Sequence, residues 1–358
     1  ADRLLFGNPV KPAGDIAAAW ALGVRRFVVQ SAGEVDKLAR NAPAAEVLAR
    51  RLSVGHWSDY EAMLDEARPD GAVIALPNHL HAPAALACIA RGVACLVEKP
   101  VAETIAAGLG IADASERAGV PVLVGHHRRH SPDIRAAKRV IDAGELGPLV
   151  AVNGMTLFDK PDAYFEAAWR RQPGGGPLLI NLVHDIDALR HLVGEIESVY
   201  GFASSATRGF EVEDTASVAI RFANGVLGSF VISDAAVSPW AWEYTSGQAL
   251  WHPTQPGPYM FISGRKAALS VSDLYLWRHA RESEHWQHPL VREHRPGDGS
   301  RAYVNQLDHF IAVVRREAEP LIPARDGVAT LAATLAVEKA AREGRAVTLA
   351  EMLAEAAR

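Results

Sequence analysis

The sequence predicts an α/β protein: an N-terminal Rossmann-like, doubly wound parallel sheet, then a C-terminal α+β domain with a mostly antiparallel open sheet. Three observations carry this. Through about residue 125, short apolar β-prone runs alternate with helical stretches, the order of right-handed βαβ units. From Leu149 onward the runs alternate in period two and meet in hairpins. The chain has 358 residues, 49% of them apolar, more than one compact core holds. The division is placed between 1–125 and 126–358. The C-terminal helices are candidates to pack back on the first domain.

In order, residues 3–7 read as a strand, 15–22 as an alanine-rich helix and 26–30 as a second strand. Residues 44–52 and 60–67 are helical, and Gly71–Leu76 is a strand. His81–Arg91 is helical, and Arg91-Gly92 closes it ahead of the apolar strand Val93–Val97. Glu98 and Lys99 follow, with Pro100 holding Lys99 extended. A lysine at the carboxyl end of such a strand points into the crevice where open α/β sheets bind ligands. The competing reading is a surface Glu-Lys turn. Thr104–Ala118 and Pro121–Gly125 supply one more helix and strand.

A dinucleotide site in such a sheet normally opens with G-x-G-x-x-G after the first strand. Here the place reads Gly7-Asn8-Pro9-Val10-Lys11-Pro12-Ala13-Gly14, which lacks the fingerprint. Gly7 is the glycine that follows the strand. After the second strand, Ser31-Ala32-Gly33-Glu34 occupies the turn where an acidic residue would hold ribose hydroxyls. Glu34 is the nearby carboxylate, and an ordinary surface charge is its alternative.

In the second half, Leu149–Phe158 and Val199–Ala203 are strands. Ser217–Ala223 alternates strictly, and Asn224-Gly225 signals a type I′ turn into Val226–Ile232. A further hairpin spans 261–271, Leu274–Trp277 is a strand, and 238–258 and 279–300 read as loops. Residues 304–316 and 327–343 close the chain as amphipathic helices.

The most informative stretch is Gly174-Gly175-Gly176-Pro177-Leu178-Leu179-Ile180-Asn181-Leu182-Val183-His184-Asp185-Ile186-Asp187. The glycines and proline read as a flexible loop feeding a helix at its first turn. On a 3.6-residue wheel Leu179, Leu182, Val183, Ile186 and Leu189 share one side, and Asn181, His184, Ala188 and His191 the other. His184 therefore faces a cleft, a partner or water. Trp169-Arg170-Arg171 precedes the loop as pocket wall or as structural packing.

These pieces together resemble the Gfo/Idh/MocA family of NAD(P)-dependent oxidoreductases. Cys95–Pro100 resembles its Glu-Lys-Pro motif, and Leu76-Pro77-Asn78-His79-Leu80-His81 its Pro-Asn-x-x-His turn. Gly125–Pro132 resembles its Gly-x-x-Arg-Arg-x-x-Pro crossing, and Gly174–Asp187 its Gly-Gly and His-x-x-Asp helix. Asn305–Phe310 and Glu343-Gly344-Arg345 fit the family's ending. The resemblance implies hydride transfer between NAD or NADP and a carbinol carbon of a sugar, cyclitol or related cyclic polyol. It implies that Lys99 polarises the hydroxyl and that His184 is its proton donor or acceptor. An alcohol must lose its proton as hydride leaves, which a group titrating near neutrality assists, and an ammonium stabilises the alkoxide. By the same resemblance Pro77, Asn78, His81, Glu98 and Lys99 border the cofactor, with Gly7, Ser31 and Glu34. Arg128, Arg129, Trp169, Asn181 and Asp187 border the substrate. A homodimer or homotetramer through the C-terminal sheet is implied as well.

One departure concerns the proton relay. Many members carry an aspartate four residues before the histidine, where this chain has Ile180. With the altered glycine loop, this keeps two other readings open: a non-catalytic sensor on the same fold, and an NAD-assisted hydrolase or lyase. Composition narrows the rest. A net charge of −5 without a basic stripe excludes a nucleic-acid footprint. Only Cys88 and Cys95 are present, which argues for a reducing compartment and against a cysteine metal site. His126, His127 and His130 lack zinc-ligand spacing and flank two arginines, so no metal is assigned. No apolar run approaches the ~20 residues of a membrane span, and the start is too short for a signal peptide. A cytoplasmic enzyme is expected.

Overall fold

The structure is a computed structural model describing the strands Leu4–Phe6 and Arg26–Phe27 and residues 54–249 and 252–358. The expected helices at 15–22 and 44–52 lie outside the described residues. The chain divides into two compact units, Ala1–His127 with Tyr303–Leu331 and Arg128–Ala302 with Ala332–Arg358.

The first unit holds a five-stranded parallel sheet of β1 (Leu4–Phe6), β2 (Arg26–Phe27), β3 (Gly71–Ile74), β4 (Ala94–Val97) and β5 (Val122–Val124), in the order β2-β1-β3-β4-β5. β3, β4 and β5 are buried along their whole length, as strands covered on both faces must be. Local chemistry sets the helices between them. Asp59 accepts from the Ala62 amide to start α1 (Tyr60–Ala67), and Thr104 accepts from Ala107 to start α3 (Ile105–Ala118). α2 (Asn78–Ala90) begins behind Pro77 and is closed by Arg91 and Gly92, the glycine taking φ +72°. The segment Tyr303–Leu331 packs into this unit at β5. Val124 donates to the Ile322 carbonyl at 2.8 Å, and Arg325 pairs with Asp113 and Glu116 of α3.

The second unit is built on a nine-stranded sheet. Its strands are β6 (Leu149–Leu157), β7 (Ile196–Ser204), β8 (Thr215–Phe222), β9 (Leu227–Ser233), β10 (Met260–Gly264), β11 (Ala267–Val271), β12 (Tyr275–His279), β13 (Leu290–His294) and β14 (Val347–Thr348). They run in the order β13-β12-β11-β10-β6-β9-β8-β7-β14, and every neighbouring pair is antiparallel except β6 with β9. Along β8, buried and outward residues alternate, which fixes its register. α4 (Pro132–Asp142), capped by Ser131, and α5 (Val183–Val193) belong to this unit, as does the closing helix Leu349–Ala356.

Two local expectations change. The turn at 222–226 is not type I′, because Asn224 keeps a negative φ. Gly225 donates to the Phe222 carbonyl at 2.9 Å and itself takes φ +87°, a type I turn closed by a glycine bulge. Asn224 is kept for its side chain, which donates to the Val193 carbonyl at the end of α5 and accepts from Val226. The stretch 279–300 is not all loop, since it contains β13, an edge strand. Its charged and exposed residues, including Arg292 and Glu293, hide the alternation a strand normally shows.

Candidate active site

In the first unit the Glu-Lys-Pro turn is held by backbone and by one histidine. Glu98 donates its amide to the Ile74 carbonyl at 2.9 Å, carrying the β3–β4 pairing one step past the strand ends. Gly125 lies flat on this turn. A Cβ there would stand 3.0 Å from the Glu98 Cα and from its carboxylate, closer than ordinary contact, so a side chain at 125 would press on the turn. Glu98 and Lys99 are half-buried at the carboxyl end of a fully buried strand, and the Lys99–Pro100 peptide is cis. His81 is 1% exposed, with Nδ1 at 2.8 Å from the Pro100 carbonyl and Nε2 at 2.7 Å from the Leu76 carbonyl. That corrects its assignment to the cofactor: both ring nitrogens are engaged inside the fold, and the ring clamps the turn after β4 to the turn after β3. Burial pushes this imidazole's pKa down, while the two carbonyls pull it up.

The same end of the sheet carries the features a dinucleotide needs. Strand order reverses between β1 and β3, and the crevice outside the carboxyl ends at such a point is where ligands bind. α2 starts there behind Pro77 with no side chain capping it, leaving amide donors available beside Pro77 and Asn78. Those residues fit the group. Gly7, Ser31 and Glu34 lie outside the described residues.

In the second unit the glycine loop is a tight packing joint rather than a flexible hinge. A Cβ on Gly175 would come within 2.3 Å of the Trp169 carbonyl, and one on Gly176 within 2.3 Å of the Glu213 carboxylate. Glu213 accepts the Leu178 amide at 3.0 Å, and burial pushes its carboxyl up from the ordinary range. The helix then opens with a π-turn, Leu178–Leu182, before α5 continues in regular geometry. Single π-turns are rare and concentrate at functional sites. His184 stands in the first turn of α5 and is 8% exposed.

The wheel predicted a polar face for this helix, and the structure corrects that. Every residue from Val183 to Arg190 is buried, Ala188 included. The carboxylates face buried cations instead of water. Asp185 accepts from Arg128 and, at 3.0 Å, from the Thr156 hydroxyl; Asp187 takes Arg129 through two bonds of 2.9 and 2.7 Å. Arg128 also donates to Glu243 at 2.8 Å and lies 4.8 Å from the Trp242 ring. Burial opposes its charge, yet the Asp185 and Glu243 carboxylates hold it above its ordinary range. Burial pushes the Asp185 carboxyl up to about 6, against the pull of Arg128. Arg128, Arg129 and Asp187, expected at the substrate, are thus committed to interior ion pairs at exposures of 1%, 6% and 0%. Trp169 and Asn181 keep open surface, Trp169 at 49%.

Sequence reasoning missed Lys160, whose ammonium donates to Asn181 Oδ1 at 2.8 Å and lies 3.6 Å from Asp234. It also missed Glu243, half-buried in the aromatic stretch around Trp242. For Glu243, a lone charge between Trp242 and Tyr244 was the available signal; Lys160, set between Asp159 and Asp162, carried none. No cluster of three metal-ligating side chains occurs among the described residues, and His127 stacks on Tyr303 at 4.5 Å.

Two family descriptions match the chain: "Oxidoreductase family, NAD-binding Rossmann fold" over residues 27–126, and "GFO/IDH/MocA C-terminal domain" over 134–269. The chain belongs to the GFO/IDH/MocA family. Its first unit is accordingly an NAD-binding Rossmann domain, and the GFO/IDH/MocA members it matches are dehydrogenases and reductases. Levoglucosan dehydrogenase of Pseudarthrobacter phenanthrenivorans is 30% identical over 236 residues, spanning 58% of each chain. The 1,5-anhydro-D-fructose reductase of Ensifer adhaerens is 28% identical across 94% of this chain and 96% of its own. The scyllo-inositol 2-dehydrogenase (NAD(+)) of Bacillus subtilis is 26% identical over 85% of each. In fold, the chain matches a levoglucosan dehydrogenase crystallised with NADH and levoglucosan at a TM-score of 0.76 and 20% identity, covering 97% and 99% of the two chains.

Proposed function

We propose that this GFO/IDH/MocA protein is an NAD(P)-dependent dehydrogenase or reductase of a carbinol carbon in a sugar, cyclitol or related cyclic polyol. The observation that carries the reading is Lys99 at the carboxyl end of β4, on the ligand-binding side of a Rossmann sheet and braced by His81 and Gly125. The relatives named for levoglucosan, anhydrofructose and inositol support the substrate class.

A bound NAD(P) would supply or take up the hydride of the carbinol carbon. Pro77, Asn78, Glu98 and Lys99 would hold it. The Lys99 ammonium stabilises the oxygen as it gains negative charge, the moment at which a fixed cation contributes most. The His184 imidazole takes the hydroxyl proton in oxidation and returns it in reduction. Ile180 cannot relay a proton, so the imidazole exchanges with solvent or with substrate hydroxyls. Asn181 and Trp169 border the polyol.

The subunits associate through the open face of the nine-stranded sheet as a dimer or tetramer. Phe202, Leu227, Phe261 and Trp277 stand on that face at 68%, 56%, 41% and 36% exposure, an apolar patch of the kind that marks contact surfaces. Two buried free thiols fit the reducing cytoplasm, and no described helix is long and apolar enough to cross a membrane.

The test is NADH and NADPH formation with levoglucosan, scyllo-inositol and D-apiose. Reduction of the cofactor by any of them is expected. Cofactor binding without turnover would make the protein a sensor, and cleavage of substrate without net reduction would make it a lyase or hydrolase.

A further inference from the structure

We infer that Lys160 is a positioning residue that fixes the polarity of the Asn181 amide, turning Asn181 into a dedicated hydrogen-bond donor to a polyol oxygen next to His184. This rests on the polyol reading above.

The donor inventory decides the geometry. A lysine ammonium only donates, so the amide atom 2.8 Å from Lys160 Nζ must be the oxygen. The ammonium cannot drift away and free the amide to turn over. Its side chain is only 13% exposed, with Asp234 Oδ2 at 3.6 Å, the Tyr164 ring centroid at 4.6 Å and the Phe158 ring at 5.4 Å. Asp234 in turn is held by Arg208 at 3.1 Å. With Oδ1 pinned, Nδ2 points the other way, and among the described residues it has no hydrogen-bond partner. The amide is half-buried and stands in the π-turn, three residues before His184, on a neighbouring part of the helix surface.

Two fixed N–H donors beside a general base suit an oxygen that carries lone pairs: a ring or hydroxyl oxygen of the polyol flanking the reacting carbon. They do not suit a hydroxyl that must donate. Asn181 therefore selects the orientation in which the sugar presents an acceptor, and Lys160 makes that selection permanent.

The experiment compares Asn181→Asp, Lys160→Met and Lys160→Arg with wild type, using whichever of levoglucosan, scyllo-inositol or D-apiose the wild type turns over fastest. Asn181→Asp keeps the size and gives Lys160 an ion pair, so its melting temperature should equal or exceed wild type. It replaces the donors with an acceptor, so the polyol KM should rise about tenfold or more, with kcat within about threefold and the NAD KM unchanged. Lys160→Met should raise the polyol KM about threefold to tenfold, and Lys160→Arg should restore it to within about twofold. An unchanged polyol KM in Asn181→Asp overturns the inference, as does a Lys160→Arg variant no better than Lys160→Met. A wild type that neither turns over nor, by calorimetry with NAD present, binds any of the three polyols removes the polyol reading and this inference with it.

Discussion

The His81 imidazole lies 2.8 Å from the carbonyl oxygen of Pro100, 19 residues further along the chain, and so ties the start of α2 to the turn after β4. Replacing it should loosen the turn that carries Lys99. In His81→Ala the carbonyl to which the neutral imidazole donates loses its partner, at about 1–3 kcal/mol. The expected result is a lower urea midpoint, equivalent to about 1–3 kcal/mol of stability, and a reduced kcat/KM. An unchanged midpoint would show that the clamp carries no energy.

Lys99→Ala should abolish turnover with the fold intact, because the side chain is half-buried at a strand end and not in the core. His184→Ala should lower kcat by about 10²–10⁴-fold, the range of a positioned acid–base group. Circular dichroism reports the fold and initial rates the chemistry. A His184→Ala loss below about tenfold with the same pH profile would demote the histidine to packing.

The buried Arg128–Asp185 pair should show itself through pH. The Asp185 carboxyl is raised to about 6, above an unfolded aspartate near ~3.9. Its stabilising contribution is thus complete below about pH 4 and is lost as pH climbs through about 6. The stability of wild type relative to Asp185→Asn should fall by about 2–3 kcal/mol between pH 4 and 7. Arg128→Ala, which strands two carboxylates, should cost about 3–5 kcal/mol at neutral pH. Denaturant titrations at several pH values measure both, and a flat difference for Asp185→Asn would contradict the assignment.

Introducing charge on the open sheet face should separate subunits. Leu227→Lys with Phe261→Lys places two ammonium groups within the exposed apolar patch, where self-association would bury them. Sedimentation velocity should show a shift to monomer, with the melting transition of each subunit still cooperative. An unaltered sedimentation coefficient would move the interface elsewhere.

The parallel sheet, the hairpins and the Glu-Lys-Pro turn were legible in the sequence because each rests on local information: buried runs, period-two alternation, and turn residues. The motif at Gly174–Asp187 was legible as a place but not as a surface. Its helix wheel set His184 off the core stripe, facing a cleft, a partner or water, and gave no sign that Asp185 and Asp187 are carried inside by Arg128 and Arg129, 57 and 58 residues earlier. The type I turn at Phe222–Gly225 likewise follows from Asn224 reaching the end of α5, a contact no dipeptide preference encodes.

By itself, the sequence determined which residues can do chemistry and which strands and helices carry them. Periodicity and backbone preference act over a few residues and are written in order along the chain. Tertiary structure alone decided which of those polar groups remain available. Arg128, Arg129, Asp187 and His81 are consumed by partners far away in sequence, while Asn181 is left facing outward with its amide turned by Lys160. The physical reason is that a buried charge or amide must find its complement wherever the fold brings one, and sequence distance does not limit that pairing.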